Sequence, residues 1–227
     1  LQESFRTFVA NYDKVNIHVE PVCYSTDDTA ELAEIFNGNE ALIKKYAEKL
    51  SISFERVEYA KNNFIRVVKV MKAFILNDSV KSFLCLNNKL PQENKGLFDI
   101  KLLEEFADAI IKLYGIKGLK GKDLLYSINS EDYDAKRAEF IQRLSKGEKL
   151  FVISSYNTVG AGQNLQYKAP GNATIVAVND YDRGDMEKDF DCIYLEKPTN
   201  LLVNVDSKKG IEAEDLIRFV YQMEFLM

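Results

Sequence analysis

Histidine is almost missing from this chain: His18 is the only one in 227 residues. Imidazole acid/base catalysis and a histidine-built zinc centre are thereby set aside. His18 itself, in the alternating run Val15-Asn16-Ile17-His18-Val19-Glu20, reads as a structural residue on a strand face. Cysteine is equally sparse. Cys23, Cys85 and Cys192 are odd in number, far apart, and form neither a C-x-x-C pair nor a metal-ligand spacing, so they read as reduced thiols in a cytosolic protein. No run approaches the roughly 18 apolar residues of a membrane span, and no charged segment followed by an apolar one opens the chain. A soluble cytoplasmic protein with no membrane partner is expected. Excess positive charge is lacking too: 30 Lys and Arg against 35 Asp and Glu leave a net charge of -5. That argues against a strongly basic nucleic-acid module while leaving room for a local basic groove.

What is present is ordinary globular composition, 46% hydrophobic and 29% charged, enough for one large domain or two small ones. Residues 1–120 carry mainly helical periodicity. Ser25 to Asp28 offer capping groups before Ala30, Leu32, Ala33, Ile35 and Phe36, Asn37-Gly38 divides that helix from Ala41 to Leu50, and Ile100 to Tyr114 forms another helix ended by Gly115. From Ser53 to Asn87 the apolar positions, including Phe64, Phe74, Val80, Phe83 and Leu84, fall at helical intervals and predict a helical hairpin or a long broken helix. Those phenylalanines read as core residues, not as base-stacking platforms.

Residues 121–227 change character. Leu124 to Ile128 is a short apolar strand, Ser130 caps a helix from Glu131 to Leu144 that Gly147 ends, and Lys149 to Ser154 is a strand of the buried kind. Thr174 to Val178 and Asp191 to Leu195 are further strands, and Glu212 to Met227 is a closing helix. Strands alternating with helices imply a parallel sheet covered by helices. The chain starts at Leu1 and stops at Met227 inside helical patterns, which suggests an excised piece.

The strand Phe151-Val152-Ile153-Ser154 runs into Ser155-Tyr156-Asn157-Thr158-Val159-Gly160-Ala161-Gly162-Gln163-Asn164-Leu165. In open α/β sheets ligands bind beyond the carboxyl ends of the strands, where this segment falls. Gly160 and Gly162 permit positive φ and close approach to a ligand, and amides at such a turn can bind phosphate oxygens. Taken alone, the pair of glycines is equally well a tight turn between strand and helix.

The run from Leu124 to Gln166 resembles the second motor domain of superfamily 2 helicases and related translocases. The matching positions come in order: a strand leading to Ser130, a helix centred on Arg137 and carrying Phe140 before Lys146-Gly147, then a strand entering a turn like the A-G-x-G-x-N-L form of helicase motif V. Thr174 to Asp180 resembles the strand that follows, so the resemblance covers about residues 122 to 182. It implies a RecA-like α/β domain that pairs with a first motor domain, ATP in the cleft between them and DNA or RNA crossing both. By the same resemblance Ser155, Tyr156, Asn157 and Thr158 face the nucleic-acid backbone. Gly160 and Gly162 shape the turn, and Gln163 and Asn164 lie towards nucleotide or interdomain contacts.

Departures from the family pattern carry as much information. The chain has no G-x-x-x-x-G-K-[ST] phosphate loop and no D-E-x-H motif, so it lacks the parts that hold ATP's phosphates and Mg²⁺. ATP and Mg²⁺ belong to the intact parent, with neither expected on this fragment. A Q-x-x-G-R-x-x-R motif VI is also missing in clear form, and Arg183 and Arg218 are the nearest arginine-finger candidates. The expected protein is therefore one half of a nucleic-acid-dependent ATPase, inactive alone, with a helical block on a RecA-like sheet. The alternatives are a noncatalytic nucleic-acid- or protein-binding module on that scaffold and, third, a small-molecule enzyme using Asp180 and Gly162. The lysines of Lys112 to Lys122 form either a phosphate contact or, more ordinarily, a solvated linker. The acidic pairs Glu104-Glu105 and Asp27-Asp28 mark caps or exposed edges, and Asp180 with Asp182 ends a strand on the ligand side.

Overall fold

The computed structural model describes residues 17–25, 27–55, 57–91, 98–129, 131, 133–156, 158–159, 165–171 and 187–196. By its internal contacts the chain divides into a unit of 1–17, 176–182 and 197–227 and a unit of 18–175 with 183–196. All described residues except Ile17 belong to the second unit, and the architecture that follows is that unit's own.

Among the described residues three helices come first: α1 (Asp28–Ile35), α2 (Glu40–Ser53) and α3 (Glu58–Leu76). Capping explains two of their starts. The Asp27 carboxylate accepts from the amides of Thr29 at 2.9 Å and Ala30 at 3.2 Å, and Asn39 Oδ1 accepts from Leu42 N at 3.1 Å, each satisfying amides that a first turn leaves unpaired. Asn37 and Gly38, at φ 51 and 74, make the left-handed break between α1 and α2, a conformation glycine adopts at little cost. The acidic pairs serve as caps and ion-pair partners: Asp28 meets Lys61 at 2.6 Å, Glu104 meets Lys101 at 3.4 Å, and Glu105 pairs with Lys49.

A strand follows, β1 (Ser82–Asn87), and it corrects the helical spacing read through Val80, Phe83 and Leu84. All six residues of β1 are buried. A strand covered on both faces has no polar alternation to reveal it, so a short apolar run of this kind reads equally as helix. Then come α4 (Ile100–Leu113), the single turn α5 (Gly121–Leu124), β2 (Leu125–Ser127), α6 (Tyr133–Ser145) and β3 (Leu150–Ser155). The two-residue strands β4 (Tyr167–Lys168) and β5 (Glu187–Lys188) pair antiparallel, and β6 (Cys192–Leu195) ends the described chain. Expected strands at 124–128, 149–154 and 191–195 are present within a residue or two, as is the helix between the first two. The expected strand at Thr174–Val178 and the closing helix at Glu212–Met227 lie outside the described residues.

The strand expected at 15–20 does not form over its described part. Residues 17–20 are irregular, Ile17 and Val19 are exposed, and His18 Nε2 sits 2.7 Å from Glu20 Oε1. Over these described residues the alternating pattern has no partner strand to pair its amides.

The main sheet has the order β2-β3-β1-β6 with every neighbour parallel. Parallel strands need crossovers, and the helices that make them cover both faces. Alternate residues of β1 and β3 point to opposite faces. Phe83, Cys85, Phe151 and Ile153 join Leu103, Phe106 and Ile110 of α4 and Phe64, Met71 and Phe74 of α3 in one core. Leu84, Leu86, Leu150 and Val152 join Phe140 and Leu144 of α6 in a second. Phe83 stacks on Phe151 with centroids 4.8 Å apart and Phe74 meets Phe83 at 5.6 Å, so these aromatic rings are core residues. The protein is a mixed α/β structure with a four-stranded parallel sheet flanked by helices. Among the described residues no helix is long and apolar enough to cross a membrane.

Candidate site at the carboxyl edge of the sheet

The chain leaves β1 towards the α4 face and crosses β3 to reach β2, whereas after β3 it passes to Leu165 and Tyr167 on the α6 face. Neighbouring strands whose connections depart to opposite faces create a switch point, and the carboxyl ends of β1 and β3 meet there in register, Asn87 opposite Ser155. Because α3 runs antiparallel to the strands, its first turns stand at this same edge: Asn63 lies against Asn87, whereas the far end of α3 meets Lys149 at the start of β3.

Of the residues the sequence proposed for the site, Ser155, Tyr156 and Thr158 can be placed. Ser155 Oγ and Thr158 Oγ1 lie 2.9 Å apart, and the Thr158 amide reaches the Ser155 hydroxyl at 3.2 Å and its carbonyl at 3.0 Å. The Val159 amide also donates to the Ser155 carbonyl at 3.0 Å. A serine at the end of a strand thus folds the following residues into one tight turn, with the side chain standing in for a backbone acceptor. Two hydroxyls, each able to donate or accept, are brought together at the edge. Tyr156 turns back into the protein instead: its amide reaches the Asn87 carbonyl at 3.4 Å and its hydroxyl donates to the Glu196 carbonyl at 2.6 Å. Burial and then the Glu196 charge push its phenol up to about 12. Asn157, Gly160, Gly162, Gln163, Asn164, Arg183 and Arg218 lie outside the described residues, as do Asp180 and Asp182.

A polar group that sequence reasoning missed adjoins this turn. Asn63 and Asn87 exchange side-chain hydrogen bonds, Nδ2 to Oδ1 at 3.1 Å and 3.2 Å, while both are buried. Arg66 donates to Glu196 through Nη2 at 2.6 Å and Nε at 3.3 Å, and the Tyr194 hydroxyl donates to the same carboxylate. Glu196 is 2% exposed and Arg66 18%. Burial alone would lower the guanidinium's proton affinity, but Glu196 outweighs it and the net direction is up. Burial, with the bond to Glu196, raises the Tyr194 phenol. The arrangement holds a charge pair out of water with its hydrogen bonds made, the condition under which such a pair persists. Its sequence signal was faint: Asn63 is a polar residue on the apolar, buried face of α3, and Glu196 stands directly after an apolar strand.

The lysine-rich stretch lies elsewhere. Lys112, Lys117, Lys120 and Lys122 are all exposed between the end of α4 and the start of β2, at the amino edge opposite Ser155. Ile116 and Leu119 pack against the core between them. Among the described residues no group of three or more histidine, cysteine, aspartate or glutamate side chains could hold a metal ion. No family model matches the chain, and no curated protein matches it.

Proposed function

We propose that this chain is the second, RecA-like motor half of a nucleic-acid-dependent ATPase of the helicase or translocase kind, supplying nucleic-acid backbone contacts and one wall of an ATP cleft. The observation that carries the proposal is the meeting of sequence and topology at one place. The glycine-spaced segment that resembles motif V begins at Ser155, and Ser155 ends a central parallel strand at the switch point of the sheet. Neutral hydroxyls such as those of Ser155 and Thr158 suit phosphate contacts that position a strand without reading its sequence.

The residues of this half do not fit a magnesium triphosphate by themselves. The sequence has no phosphate loop, and among the described residues no cluster of acidic ligands stands ready for a cation. ATP and Mg²⁺ would accordingly be held by a first motor domain, with Gln163, Asn164 and an arginine, Arg183 or Arg218, facing it across the cleft. DNA and RNA are both compatible with hydroxyl-to-phosphate contacts, and a cytoplasmic setting fits the thiols.

The test is the double change Asn157→Ala with Thr158→Ala in the intact protein. Nucleic-acid-stimulated ATPase activity is expected to fall several-fold more than the basal rate. An equal fall in both, or none, would remove the strand contact. A protein that binds nucleic acid yet shows no ATPase activity with any first motor domain would be the noncatalytic binding module instead.

A further inference from the structure

The Ser155–Thr158 turn is proposed to meet a phosphate backbone, and its aromatic residue, Tyr156, is turned inward to Glu196. The neighbouring helix carries an exposed ring. Tyr59 stands in the first turn of α3, 51% exposed, with its hydroxyl 3.4 Å from Asn88 Nδ2. Asn88 follows β1 directly, and its amide donates to Asn87 Oδ1 at 2.8 Å, while the Asn87 carbonyl receives the Tyr156 amide. Hydrogen bonds therefore run without a break from Tyr59 across two adjacent strands to the Ser155 turn, a span of about 10 Å from the strand spacing and bond lengths.

Among the described residues only two aromatic side chains are exposed, and the other, Tyr114, lies at the far end of the sheet with Lys72 over its ring at 5.7 Å. Lys89, next to Asn88, is exposed on the same edge. The acid beside Tyr59, Glu58, is engaged by Lys61 at 3.0 Å, and Lys61 also holds Asp28 at 2.6 Å. Lys61 offsets one of these two carboxylates, and Lys89 brings a second cation to the edge.

We propose that Tyr59 is a stacking platform for one base of a single strand whose backbone lies on the Ser155–Thr158 turn, with Lys89 meeting a phosphate of the same stretch. It rests on the reading of this edge as a nucleic-acid contact and adds the base-side partner. Aromatic rings hold bases by stacking without regard to sequence, and lysine adds a salt-dependent attraction.

The test measures binding of a single-stranded thymidine oligonucleotide and of an abasic oligomer of equal length by fluorescence anisotropy across a salt series. Tyr59→Ala is expected to weaken binding of the oligonucleotide about tenfold and to leave the abasic oligomer nearly unaffected, whereas Tyr59→Phe keeps wild-type affinity for both. Lys89→Ala should weaken both and reduce the salt slope by about 0.7. Equal weakening of both oligomers by Tyr59→Ala, or none, overturns the stacking role. A loss confined to ATP binding overturns it in favour of an adenine platform. If neither oligomer binds the wild-type protein, the nucleic-acid contact at this edge fails and the stacking role fails with it.

Discussion

Removing one partner from the Arg66–Glu196 pair should show how the carboxyl edge is held. In Arg66→Met the methionine keeps most of the aliphatic stem, so packing changes little, but Glu196, 2% exposed, loses both guanidinium bonds. A buried charge deprived of its partner costs about 3–5 kcal/mol. Glu196 retains the Tyr194 hydroxyl, which places the expected loss near the lower end, about 3 kcal/mol. For a chain of this length that corresponds to a fall in Tm of about 6–12 °C. It is a large share of the 5–15 kcal/mol that ordinarily separates folded from unfolded chains. The assay is thermal unfolding followed by circular dichroism at pH 7, with urea titration giving the free energy. The double variant Arg66→Met with Glu196→Gln removes the stranded charge and keeps an acceptor for Tyr194, so it should recover to within about 1 kcal/mol of wild type. A single variant indistinguishable from wild type, or a double variant less stable than the single, would refute the claim that this pair is desolvated and mutually dependent.

Two further predictions concern other parts of the sheet. Asp191 accepts from the amides of Lys81 at 2.9 Å and Ser82 at 3.0 Å and pairs with Lys188; burial opposes its charge, but Lys188 and the two amides prevail and hold its carboxyl below the usual range. A depressed carboxylate pKa contributes stability that is present above the unfolded value, about 4, and lost as pH falls through the folded value. The stability gap between wild type and Asp191→Asn, measured by urea unfolding, should therefore narrow as pH is lowered from about 5 towards 2; a gap independent of pH would dismiss the linkage. At Gly121 an added Cβ would lie 2.5 Å from the Glu104 carbonyl oxygen and 3.1 Å from Ala107 Cβ, where α5 meets α4. Gly121→Ala should cost about 1–3 kcal/mol, and an unchanged urea midpoint would mean that the contact yields freely.

How much of this was legible in the sequence depended on whether the signal was local. Periodicity announced α1, α2, α4 and α6, aided at α1 by the capping residues Ser25 to Asp28, because such a group at a helix start acts on amides two or three residues away. The strands β2, β3 and β6 were readable from their place between turn signals. β1 was not, since a six-residue apolar run covered on both faces takes its identity from the strands on either side. The alternating run at 15–20 failed in the opposite sense, having the pattern of a strand and no partner over its described residues.

The site divided along the same line. Sequence alone determined the strand running into Ser155, the hydroxyl-rich turn after it and the lack of any phosphate loop, because each is written in consecutive residues. Only the tertiary structure decided that Tyr156 faces inward to Glu196, that Asn63 pairs with Asn87, that Arg66 meets an acid 130 positions away, and that Tyr59 stands beside the Ser155 turn. Parallel pairing across crossovers brings these residues to one edge, and no spacing along the chain encodes which strands become neighbours.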